Sequence, residues 1–88
     1  MTTVFTSFRR ESTDPHDWLG RSEGFRVEVG GRRIGVVEEL RFHTHVGYPD
    51  ELVVRTGLFA RRRLIIPATD VEAVLARDRR VILRRSPA

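Results

Sequence analysis

Of 88 residues none is Cys, Lys, Asn or Gln, and runs of large apolar residues stop at three, as in Leu64-Ile65-Ile66. Each absence excludes something. Without cysteine there is no disulfide framework, no thiolate zinc site and no Cys nucleophile, so a reducing compartment is permitted and the core holds by packing alone. A membrane-spanning helix needs ~20 apolar residues, and a basic-then-apolar leader pattern is missing at the N-terminus. The expectation is a cytoplasmic protein with no membrane partner. At this length there is room for one domain, whose small core leaves little space for a deep cleft.

What is present is arginine. The chain has 16 Arg against 12 acids, for a formal charge of +4. Total replacement of Lys, Asn and Gln reads first as a coding bias, yet the charge is unevenly spread: residues 1–23 sum to −1, 24–56 to 0 and 57–88 to +5. The basic character therefore belongs to the last third and calls for a place on the fold.

Residues 1–17 hold Val4, Phe5 and Phe8 among Thr, Ser and charge with no sustained period, and are expected to form a flexible or loosely docked arm. Asp14-Pro15 signals a turn, and Trp18-Leu19-Gly20 the first anchored element. Phe25, Val27 and Val29 alternate with Arg26 and Glu28, the period of a strand with one buried face. Gly30-Gly31 suits a tight hairpin turn, so Arg33 to Phe42 returns antiparallel, with a bulge or bend at Gly35 where parity breaks between Ile34 and Val37. His43 to Asp50 reads as a loop. Leu52-Val53-Val54 and Leu64-Ile65-Ile66 are apolar on both parities and read as central strands joined through Thr56 to Arg63. Val71, Val74 and Leu75 at i, i+3 and i+4, after Thr69 and Asp70 as caps, predict one short helical turn, and Val81-Ile82-Leu83 a last strand. The fold class is all-β: a small, strongly bent antiparallel barrel of about six strands.

The ordered set Trp18-Leu19-Gly20-Arg21, Phe25 to Val29, Gly30-Gly31, Ile34-Gly35 with Val37, and Glu38-Glu39-Leu40 resembles the first half of the PRC-barrel domain. Leu52 to Phe59, Arg62-Arg63, Ile65-Ile66-Pro67, Asp70-Val71 and Val81-Ile82-Leu83 resemble its second half. The resemblance covers residues 18–84, leaving 85–88 as a polar tail. It implies a barrel of about six strands, and a docking or assembly module rather than a catalyst. The domain is also found in the photosynthetic reaction-centre H subunit and in a maturation factor of the small ribosomal subunit. The membrane span of the first and the extra N-terminal domain of the second have no counterpart in this sequence.

Candidate sites are few. His43 and His45, two apart on a strand, could share a face and take a third ligand from His16, Asp17 or Asp50, but nothing in the spacing selects one, and no metal or other cofactor is expected. Ser7, Ser12, Ser22 and Ser86 lie in arms or turns without a nucleophile elbow, and Gly30-Gly31 precedes a strand rather than a phosphate-binding helix, so no enzyme is expected. Glu38 and Glu39 point to opposite faces of a strand, one of them inward where Arg41 or Arg55 neutralises it.

Two surfaces stand out. Leu58 and Phe59 at a hairpin tip are an apolar site for a protein partner, first of all a second copy of the chain, with a strand edge as the other route to a homodimer. Arg61, Arg62, Arg63, Arg79, Arg80, Arg84 and Arg85 form a basic group that makes an RNA- or ribosome-associated factor the alternative. Only Phe59 and Tyr48 lie near that group as stacking aromatics. Trp18 reads as a cap on the barrel end, and Phe5 and Phe8 as docking residues.

Overall fold

The computed structural model describes residues 12–57, 59 and 61–87. Phe5, Phe8, Ser7 and Leu58 lie outside them. A short helix α1 (Pro15–Trp18) and a 3-10 turn (Leu19–Arg21) lead into six strands: β1 (Arg26–Val29), β2 (Arg32–Arg41), β3 (Glu51–Thr56), β4 (Arg62–Pro67), β5 (Val71–Leu75) and β6 (Arg80–Leu83). They form one bent sheet in the order β4-β3-β2-β1-β6-β5, whose terminal strands do not pair, so the barrel-like sheet stays open. Among the described residues no helix is long and apolar enough to cross a membrane.

α1 starts where Asp14, in extended conformation, accepts the His16 N–H at 2.9 Å and Pro15 supplies the first helical φ. The glycine pair between β1 and β2 takes φ of 56° and 80°, as the tight turn requires. Ile34 is the extra residue of a bulge: Val27 opposes Gly35 while Glu28 opposes Arg33. Gly35 is needed for close approach, since a Cβ there would collide with the Arg55 carbonyl oxygen and stand 2.8 Å from Val54 Cγ1. The bend expected at this position is thus real and has a steric cause.

Inward parity builds the core. Val27, Val37, Val54 and Val81 are buried, with Leu19, Leu52, Ile66, Val71, Val74 and Leu83 around them. Burying each side chain of this kind stabilises the fold by ~1.5–3 kcal/mol before ordering costs. Trp18, Ile34, Leu40, Tyr48 and Leu64 pack against the cluster from its rim. Ser22 is the one buried polar side chain among the described residues, and its hydroxyl donates to the Leu19 carbonyl at 2.7 Å.

Four sequence expectations are corrected. The run 71–75 is a strand, and only Ala68–Asp70 makes a 3-10 turn. Glu72 is a bulge residue between the Val71–Leu83 and Ala73–Ile82 pairs, so Val71 and Val74 reach the same buried face at a spacing of three, which imitates a helix. Pairing is antiparallel except between β1 and β6, which run parallel with Val27 beside Val81. Leu64-Ile65-Ile66 is an edge strand rather than a central one, because nothing pairs beyond β4. Glu38 does not point inward: it bulges out of the β2–β3 ladder and is held by Arg63, while Glu39 lies 3.9 Å from Arg41.

Candidate interaction surfaces of the sheet

β3 and β4 form a six-pair antiparallel hairpin from Glu51–Pro67 to Thr56–Arg62. Its tip turns through Gly57 at φ 85° and Phe59 at φ 66°, a left-handed conformation that a bulky non-glycine residue adopts only when its surroundings fix it. Phe59 is 80% exposed, and the Arg61 guanidinium lies 5.9 Å from its ring centroid. Along β4, Ile65 is 53% exposed between Leu64 and the buried Ile66. The two edges of the sheet differ. On the β5 edge the Val74 N–H donates to the Thr13 carbonyl at 3.0 Å, so the segment ahead of α1 covers it, whereas no described residue covers β4. Arg62 and Arg63 at one end of β4 and Pro67 at the other restrict what can pair with it.

The seven basic residues singled out in the sequence occupy separate places. Arg61 to Arg63 lie at the β4 edge, Arg79 and Arg80 at the turn into β6, and Arg84 and Arg85 beyond its other end. Several already have partners. Arg63 makes a two-pronged contact with Glu38 at 2.6 and 3.1 Å, which holds the Glu38 carboxyl below the usual carboxylate range. Arg80 bonds Glu28 at 2.9 Å and Asp78 at 3.2 Å, Arg85 bonds Asp70 at 3.1 Å, and Arg84 donates to the Thr69 carbonyl at 3.1 Å. Arg79 sits over the Phe25 ring at 5.2 Å.

The strand registers assemble a different group. Arg63 stands opposite Arg55, Arg55 opposite Val36, Val36 opposite Arg26, and Arg26 opposite Arg80. Directly opposed residues share a face, and the neighbouring Val27, Val37, Val54 and Val81 all face the core. The row of four arginines therefore crosses the outer face of five strands. Neither Arg26 nor Arg55 has a hydrogen bond or ion pair to a carboxylate among the described residues. Both were missed in the sequence because they sit in its neutral middle third. Their outward parity, against Val27 and Val54, was the available signal.

The histidines serve the 42–50 loop. Asp50 Oδ2 accepts the His43 and Thr44 N–H groups at 2.6 and 2.8 Å, and these bonds hold its carboxyl below the ordinary value. His16 stacks on Tyr48 with centroids 5.0 Å apart, and His45 meets the same ring edge-on at 6.5 Å. Burial raises the Tyr48 phenol above its usual range. His43 faces Glu51 at 3.5 Å and His45 faces Asp50 at 3.9 Å, so the two histidines address different carboxylates. Among the described residues no group of three His, Asp or Glu side chains is arranged to hold a metal ion. Asp17 is engaged by the Ser12 hydroxyl at 2.6 Å.

No curated protein and no solved structure matches the chain. A family model does: that of the PRC-barrel domain, over residues 27–88. The match runs from β1 through β6 and so takes in every strand of the bent, six-stranded sheet, and the chain belongs to the PRC-barrel domain family.

Proposed function

We propose that this domain is a non-catalytic docking and assembly module that pairs with a second copy of itself along the β4 edge, with the Phe59 hairpin as flank. The observation that carries the reading is the contrast between the two sheet edges: β5 is covered by the Thr13 segment, and β4 presents an unpaired ladder with Ile65 and Phe59 exposed beside it. An exposed strand edge is a template for main-chain pairing, and a two-fold axis makes such pairing self-complementary. An antiparallel pair of β4 strands centred on Ile65 sets Arg63 of one copy against Pro67 of the other and Leu64 against Ile66, so no arginines face each other. The serines favour a non-catalytic reading, since Ser22 is buried on the Leu19 carbonyl and Ser12 holds Asp17.

Light scattering over a range of protein concentrations tests the pairing. The expected result is a dimer mass that falls to the monomer mass for Ile65→Lys, with unchanged circular dichroism. A monomer mass at every concentration overturns the reading.

A further inference from the structure

We infer that the outer arginine row, Arg63-Arg55-Arg26-Arg80, is a binding site for the phosphodiester backbone of single-stranded nucleic acid, a role beyond self-assembly. The row follows from the ladder registers and lies on the face opposite the core. Adjacent strands are ~4.8 Å apart, so four strand-to-strand steps make it ~19 Å long. At the ~3.4 Å rise of a stacked strand this length matches about six phosphates.

Three features favour this ligand. First, like charges directly opposite each other in a sheet are destabilising, and the fold accepts two such pairs, Arg55 with Arg63 and Arg26 with Arg80. Glu38 and Glu28 hold only the outer members, Arg63 and Arg80, by side-chain hydrogen bonds. The inner two hold no acid by a hydrogen bond among the described residues, and Arg55 reaches Glu38 only through its charge. Second, beside Arg55 an open depression of about 480 Å³ is lined also by Arg33, Val36 and Thr56. It widens the positive strip without filling it. Third, Val36 is the row's one apolar member, so the strip lacks the buried aromatic or aliphatic anchors that centre a protein interface. A convex sheet face also fits a flexible single strand better than a rigid duplex. With no stacking aromatic in the row, recognition rests on charge and is independent of base sequence.

The test uses fluorescence anisotropy of a labelled oligouridylate against the full chain over a salt series. For single strands the slope of log affinity against log salt is about −0.7 per phosphate contact. The double variant Arg26→Thr/Arg55→Thr is expected to flatten that slope by about 1.4 and to weaken low-salt binding at least about tenfold. Its melting temperature is expected to hold or rise, because it removes one member of each opposed pair. Arg84→Ala/Arg85→Ala, which changes the basic tail off the row, is expected to leave the slope close to that of the parent. Three results would overturn the site: no binding at low salt, an equal loss in the tail variant, or tighter binding of polyglutamate than of oligouridylate.

Discussion

At the scale of single residues, Asp50 shows how a short loop is organised by one carboxylate. Its oxygen gathers the Thr44 and His43 N–H groups, and His45 adds its attraction from 3.9 Å. Because the folded carboxyl titrates below its ordinary value near 3.8, the unfolded chain binds more protons as pH falls past that value. The contribution to stability is complete above this pH and is lost as acid reaches the lower, folded pKa. Asp50→Asn is expected to lower the melting temperature by a few degrees at neutral pH and to flatten its fall between pH 5 and pH 3. A thermal melt series across that range checks both. Glu38, held down by Arg63, contributes in the same direction and keeps some acid dependence in the variant. The sequence marked His43 and His45 by spacing alone. It could not show that Asp50 would be engaged by backbone amides, since that bond depends on how the loop closes.

At the scale of elements, legibility followed locality. The β1–β2 hairpin, the break at Gly35 and the β3–β4 hairpin were readable because glycines and alternating valines encode them within a few residues. The run 71–75 misled for a physical reason, since the bulge at Glu72 shifts parity and gives a strand the spacing of a helix. Inserting one alanine between Ala73 and Val74 therefore shifts parity and moves either Val71 or Val74 from the core to the outer face. The expected cost is about 2–5 kcal/mol in urea unfolding, comparable with losing a large core side chain. Glu72→Ala, at an exposed position, is expected to stay within about 0.5 kcal/mol of the parent. The arginine row lies on the other side of this divide. Arg26, Arg55, Arg63 and Arg80 come together only through three antiparallel registers and one parallel one, and no local pattern announces such a sum.

At the scale of the whole molecule, the +5 of residues 57–88 turns out to be dispersed: Arg63, Arg80 and Arg85 are spent on Glu38, Glu28 and Asp70. The two arginines of the outer row that hold no acid by a hydrogen bond among the described residues, Arg26 and Arg55, come from the electrically neutral stretch instead. Architecture also makes the parts unequal in importance. β6 lies between β1 and β5, and its Val81 and Leu83 are fully within the core. A chain ending at Arg79 loses both ladders of that strand and is expected to be unfolded, with collapsed amide dispersion in a proton–nitrogen correlation spectrum. Removal of residues 86–88, beyond the last hydrogen-bonded arginine, is expected to leave the spectrum folded.

The parallel contact of Arg26 with Arg80 spans 54 positions (80 − 26). A ribosome adding roughly 5–20 residues per second needs roughly 3–11 s to make that stretch. For those seconds the nascent β1–β2 hairpin offers one side of β1 to whatever it meets, and its charged Arg26 and Glu28 are its main safeguard against joining the wrong strand. The same two residues that later flank β6 thus first act as guards of an unfinished edge.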